Sequence, residues 1–407
     1  MTHHGRSFWI AGFPKSRQPS WPIERGQAGA DVAIVGGGLT GCTIAFVFAA
    51  AGIRVALCDA GRIGQGATGN AAGLLSLEPS PRFVDLEAAC GRRNARRMVE
   101  MYRKAALDFA ALLRRLRVRC GLERQDAAWL ATDRDAEKWL RREHDGRSEA
   151  GVGTAWLRGA RLRRESGVEA AGAIVTPGSL VLDPYRACVG LARAAAARGC
   201  GIFERTRLVG GRRARNGIEL KLASGTLTAS AVVLATGAPP PLVRPLARHF
   251  DLATTYHVVT PPLPAAIRKA MGTRALALRD TARPEHRLRW TSDNRVLFSG
   301  ADQPSVPARS RDRVLVQRSG QLMYELSLFH PVISGIQPDF GWDEPVARTA
   351  DGIPYIGTHR NYPRHLFALG ADQSGAASAL LAARILLRAF QGEPAKGDEL
   401  FGFGRRL

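Results

Sequence analysis

Apolar and polar positions along the 407-residue chain change period several times, and each change predicts an element. Asp31–Val35 is a short, nearly continuous apolar run and reads as a buried strand. The uncharged stretch Leu39–Ala51 reads as a helix closed by Gly52, and Ile53–Cys58 as a second strand ending at Asp59. Phe83–Val118 has the spacing of one or two amphipathic helices, followed by a strand at Ala127–Ala131 and a helix at Arg134–Glu143. Asp183 and Pro184 suit the N-cap and first position of a helix running to Ala197. Strands are expected at Ile202–Leu208, Ile218–Leu222 and Ala231–Gly237. Beyond the proline-rich Pro239–Pro245 stretch, further strands are expected at Thr255–Thr260, Arg287–Thr291 and Arg295–Ser299, then a helix at Arg311–Phe329. A turn at Asp351-Gly352, a strand at Leu366–Leu369 and a helix at Gly375–Phe390 complete the pattern. Met1–Gly29 has no period, yet it carries Phe8, Trp9, Phe13 and Trp21 and is expected to wrap over the main body.

The first strand, helix and second strand bracket Gly36-Gly-Gly-Leu-Thr-Gly41, a G-x-G-x-x-G turn in the one context that gives such a turn chemical meaning. Gly36 permits the tight turn, Gly38 lets backbone approach a pyrophosphate, and Gly41 lets helix pack on strand. The helix start offers free N–H groups and partial positive charge to phosphates. Asp59 falls where a carboxylate can accept from ribose hydroxyls.

Length suits two or three domains. Signals for the nucleotide site occur at three separated places. They predict a discontinuous cofactor domain (residues 30–82, 151–240 and 341–395) with a substrate domain from 83–150 and 241–340, and the wrapping segment at 1–29. A formal charge of +22 invites a polyanion partner, but all except six of the 58 basic residues are arginine and they are spread along the whole chain. That distribution argues against nucleic acid and for solvated arginines. The six cysteines show no C-x-x-C pair or metal-ligand spacing, so we expect free thiols, a reducing cytoplasmic compartment and no metal. Residues 33–53 lack charge over a membrane-spanning length, but the run contains the glycine turn, so no membrane span is expected.

With these residues assembled, the chain resembles the D-amino-acid oxidase superfamily of flavoproteins, in its glycine/sarcosine oxidase and gamma-glutamylputrescine oxidase-like branch. Besides the turn ending in Asp59, Arg62-Ile-Gly-Gln-Gly-Ala-Thr-Gly-Asn-Ala-Ala-Gly73 looks like the family loop along the pyrophosphate. Asp183-Pro-Tyr-Arg186, with Ala235-Thr236-Gly237, looks like the adenosine border. Ala350–Gly357 with Leu369–Gly375 is similar to the closing contact on the flavin ring, though Asp372-Gln373-Ser374 is less glycine-rich than the family pattern.

The resemblance implies a mixed α/β fold: a Rossmann-like FAD/NAD(P)-binding domain of the glutathione-reductase type with an inserted antiparallel-sheet substrate domain. It implies FAD contacts from Gly36, Gly38, Leu39, Thr40, Gly41, Asp59, Ala60 and Arg62. Further contacts are implied from Ala67, Thr68, Asn70, Ala71, Ala72 and Leu74, from Leu208, Thr236 and Gly237, and from Gly352, Gly370, Gln373, Ser374 and Gly375. Some relatives attach FAD through a histidine where this chain has Asn70, others through a late cysteine, and none follows Cys200. FAD is therefore expected to be non-covalent.

The implied reaction oxidises a C–N bond of an amine or amino acid by hydride transfer to flavin N5. Oxygen or another redox partner would then reoxidise the flavin. Tyr256, His257 and Arg289 are the candidate catalytic residues. Arg289 could pair with a substrate carboxylate or be a solvated edge residue, and His257 could accept a proton or be a satisfied interior histidine. By strand alternation Arg287 and Arg289 share a face. A 2-hydroxy acid dehydrogenase and a tRNA-modifying flavin oxidoreductase are the alternatives.

Overall fold

The structure, a computed structural model, describes residues 2–370 and 376–405. Among these residues two large sheets form. The eight-stranded sheet is built on parallel strands Gly201–Phe203, Val55–Cys58, Gln27–Val35, Thr226–Gly237 and Tyr362–Leu369, in that spatial order. The near end of Thr226–Gly237 also carries an antiparallel extension, Gly217–Leu222 and Leu208–Ala214. On its face lies the Leu39–Ala50 helix, apolar on nearly every side because the helices Pro184–Ala196 and Ala376–Gln391 enclose it. The uncharged run 33–53 is therefore a strand, a turn and an enclosed helix. Among the described residues no helix is long and apolar enough to cross a membrane.

The nine-stranded sheet is antiparallel except where Asp126–Ala131 meets Leu276–Asp280 and where His3–His4 adds to Phe340–Thr349. The fold is thus the mixed α/β arrangement expected, with three differences in placement. Strands Ala155–Leu157 and Gly172–Thr176 lie in the nine-stranded sheet, whereas residues 151–240 are expected in the cofactor domain. Phe340–Thr349 lies there too, across the expected boundary at 341. Conversely, the Arg92–Arg115 helix buries Met98, Tyr102 and Phe109 in the same core as Val32 and Ile34 of the nucleotide strand, not under the substrate sheet.

Residues 2–12 do more than wrap. Ser7 Oγ donates to the Gly69 carbonyl, and Trp9 Nε1 donates to that of Ala71 at 2.9 Å. A small core of Trp9, Tyr185, Val189, Val259, Leu297 and Trp342 then joins the two sheets. The segment pins the 61–73 loop between them.

Candidate active site

The turn after Gln27–Val35 takes the shape its glycines permit. Gly36 has φ +108°, and a side chain there would strike the Ala235 carbonyl. A methyl on Gly41 would strike the carbonyl oxygen of Gly36. Thr68 Oγ1 accepts from the Leu39 N–H at 2.8 Å, tying the loop to the helix start. Asp59 uses Oδ2 to accept from Gly37 N–H and Oδ1 to accept from Gly61 N–H, both at 2.7 Å. Each oxygen keeps a lone-pair site for a ribose hydroxyl.

These groups open on a cavity of about 510 Å³ between the two sheets. Of the residues singled out in the sequence, Gly36, Gly38, Leu39, Thr40, Asp59 and Ala60 line it. So do Ala67, Thr68, Ala71, Ala72 and Leu74 from the loop, and Leu208, Thr236, Gly237 and Gly370 from the far side. Gly41, Arg62, Asn70 and Gly352 are not part of its wall. Gly41 lies in the helix–strand contact, Asn70 Nδ2 turns back to donate to the Gly66 carbonyl, and Gly352 shapes a turn against Pro81. Gln373, Ser374 and Gly375 lie outside the described residues. A glycine cradle, a helix start and a ribose-facing carboxylate on one long cavity fit an adenine dinucleotide.

The opposite wall is the inner face of the nine-stranded sheet. Pairing register aligns Trp129, Arg279, Arg287, Ser299, His257 and Trp342 as direct neighbours across six adjacent strands. One step along, Thr255 pairs with Glu344, and both line the cavity with Arg287, Val346 and Arg348. His257 is buried and stacked on Trp342; its Nδ1 accepts from Ser299 Oγ at 2.7 Å and its Nε2 donates to Glu344 at 3.2 Å in the neutral tautomer that satisfies both. It touches the cavity only through Glu344. Burial works against charge on Arg287, but Glu285, Asp302 and Glu344 hold its pKa above the ordinary value.

Like His257, the other two residues singled out for catalysis do not line the cavity. Tyr256 points to the other face, packed with Leu315 and Leu322 of the Ala308–Phe329 helix, and its hydroxyl accepts from Gln303 at 2.7 Å. Arg289 shares a face with Arg287 but is only 3% exposed, lies over Trp9, and donates to the carbonyls of Gly73 (3.2 Å) and Leu182 (3.1 Å). It fastens the loop to the sheet and does not line the cavity.

Sequence reading missed Thr255, Glu344, Val346 and Arg348. The alternation Trp342, Glu344, Val346, Arg348 was the available signal, hidden by Pro345 in the middle of the strand. Asp302, the ion-pair partner of Arg348, reaches this face because a bulge with Ala301 at φ +52° shifts the alternation of Val296–Pro304.

Comparison with known proteins agrees with this architecture. The family described as FAD dependent oxidoreductase (DAO) matches residues 31–389. Glycine oxidase of Geobacillus kaustophilus is 27% identical over 360 residues, covering 85% of this chain and 88% of that protein. The probable oxidoreductase OrdL of Haemophilus influenzae is 24% identical over 371 residues, covering 89% and 83%. The crystal structure of the Geobacillus glycine oxidase superposes with a TM-score of 0.75 at 24% identity over 93% of this chain and 100% of that one, a likeness of fold. The chain belongs to the DAO family of FAD-dependent oxidoreductases.

Proposed function

We propose that this FAD-dependent oxidoreductase oxidises a C–N bond of an amine or amino acid, giving an imine that water hydrolyses. The observation that carries the reading is Glu344: a carboxylate on the cavity wall opposite the dinucleotide turn, held by His257, which is held by Ser299. A carboxylate there attracts an ammonium group and can take its proton, leaving the nitrogen lone pair that oxidation of the adjacent carbon requires. FAD, held by the Gly36–Gly38 turn, Asp59 and Thr68, would supply the two-electron acceptor for the hydride of that carbon. Thr255, beside Glu344, offers a hydroxyl for orienting the substrate, and His257 acts as a positioning residue for Glu344. The names of similar proteins support the reading: glycine oxidase for one, and L-amino acid deaminase from Proteus vulgaris for another of like fold (TM-score 0.74, 15% identity). With asparagine at position 70 and no cysteine after Cys200, FAD is held without a covalent bond.

Anaerobic bleaching of the bound flavin by a panel of amines, amino acids and 2-hydroxy acids tests this without assuming an electron acceptor. Amines or amino acids should bleach it, and Glu344→Gln should slow the reduction by about a hundredfold, the range of general acid–base contributions. Bleaching by hydroxy acids alone would refute the assignment. Peroxide release on admitting air would identify oxygen as acceptor.

A further inference from the structure

Behind Arg287 lies a second, smaller chamber of about 80 Å³, which shares Leu74 and Arg287 with the main cavity as common walls. It has room for a small group such as a carboxylate, since a water takes about 30 Å³ of the liquid. Arg279 and Arg287 face each other directly across two strands, an arrangement of like charges that a sheet ordinarily avoids. One carboxylate serves both: Glu285 accepts from Arg287 Nε at 2.7 Å and lies 4.0 Å from Arg279 Nη1. Arg279 is stacked 3.5 Å over the Trp129 ring, and among the described residues its guanidinium donates no hydrogen bond. Glu78, on the same wall, is engaged by Arg147 and Thr176. Ser179, also on this wall and 4% exposed, has a buried hydroxyl with no hydrogen-bond partner among the described residues.

We infer that this chamber is a subsite for an anionic group at the far end of the substrate, recognised by Arg279, Arg287 and Ser179, so that the preferred substrate is an amine with an acid several bonds from the reacting carbon. The inference rests on the amine-oxidation reading for the other end of the molecule. Three strand spacings, about 14 Å between backbones, separate Arg279 from His257, too far for a carboxylate on the reacting carbon to reach both ends. A planar guanidinium stacked on an indole, with a carboxylate 4.0 Å away but no hydrogen bond from its edge, is suited to paired hydrogen bonds with a substrate carboxylate.

The test uses the holoenzyme and the probes glycine, 4-aminobutanoate and 6-aminohexanoate, each against the unbranched alkylamine of equal length. Glutarate serves as a non-reacting anion followed by its shift of the flavin absorption band. The longer amino acids should be preferred over their alkylamines, and Arg279→Gln should reduce that preference about tenfold to a hundredfold, the worth of a charged hydrogen bond. Arg279→Lys should keep part of it. Ser179→Val, which narrows the chamber and leaves both arginines, should weaken glutarate as well as the longer acids and spare the alkylamines. Equal discrimination in wild type, Arg279→Gln and Ser179→Val with flavin retained would overturn the inference, as would a preference confined to glycine. If no amine bleaches the flavin, the amine-oxidation reading fails by itself, and the glutarate shift in the variants still decides the chamber.

Discussion

Replacing Arg289 by methionine separates two jobs that a buried cation could be doing. Burial pulls the Arg289 pKa from its ordinary 12.5 down to about 9, with Asp183 and Glu123 offsetting only part of the cost. At 1.36 kcal/mol per unit, burying this charge costs the fold about 5 kcal/mol. Against that stand two charge-assisted hydrogen bonds to the Gly73 and Leu182 carbonyls, about 1.5–3 kcal/mol each. The terms nearly cancel, so Arg289→Met should change global stability by no more than about 2 kcal/mol, since an apolar side chain can replace a buried cation at little cost. What it removes is the tie between the sheet and the 61–73 loop, and with it about tenfold to a hundredfold in FAD affinity, the worth of one such bond. Urea melts of the apoprotein give the first quantity, and flavin fluorescence titration the second. Unfolding by 4 kcal/mol or more with FAD affinity intact would show that the cation stabilises the core and not the loop. A change in substrate affinity at constant FAD affinity would restore Arg289 to the substrate site.

Three other outcomes follow from the same geometry. Gly41→Ala sets a methyl against the Gly36 carbonyl, which has no rotamer to escape into, so strain of about 1–3 kcal/mol should fall on the turn and the protein should purify with little flavin, read as the flavin-to-protein absorbance ratio. Burial lifts the Asp183 pKa to about 6 despite the Arg186 N–H and guanidinium. Because that value lies above the unfolded one, the charged form weakens the fold as pH rises from about 4 to 6; Asp183→Asn, which keeps the cap, should be about 3 kcal/mol more stable than wild type at pH 7 and no better below pH 4, by thermal melts. Although burial opposes it, Arg405 holds the Asp351 carboxyl below its usual value. That stabilisation is present above about pH 4 and lost as pH falls through the depressed pKa, so the roughly 3–5 kcal/mol cost of Arg405→Ala in denaturant melts should shrink in acid.

The nucleotide half of the site was legible because its determinants are local: a turn, its flanking elements and an acid at the next strand end, all within Asp31–Asp59. The substrate wall was not, because it depends on which strands lie side by side. Tyr256 and His257 are adjacent in sequence and therefore on opposite faces, so only one of them could ever meet the cavity, and the linear pattern alone did not say which. The amphipathic face of Arg92–Arg115 announced a buried helix without naming the layer that buries it. Glu344 needed both a strand containing proline and its partner Thr255, far upstream in the chain, before it became visible.

The pairing of His3–His4 with Phe340–Gly341 also orders events during synthesis. The ribosome finishes the glycine turn and the following loop early, yet the clasp formed by Ser7 and Trp9 shares its small core with Val259, Leu297 and Trp342, which emerge hundreds of codons later. The His3–His4 strand must therefore wait for its partner while most of the polypeptide is made. Closure of that small core is accordingly a late event, set by the strand that carries Trp342.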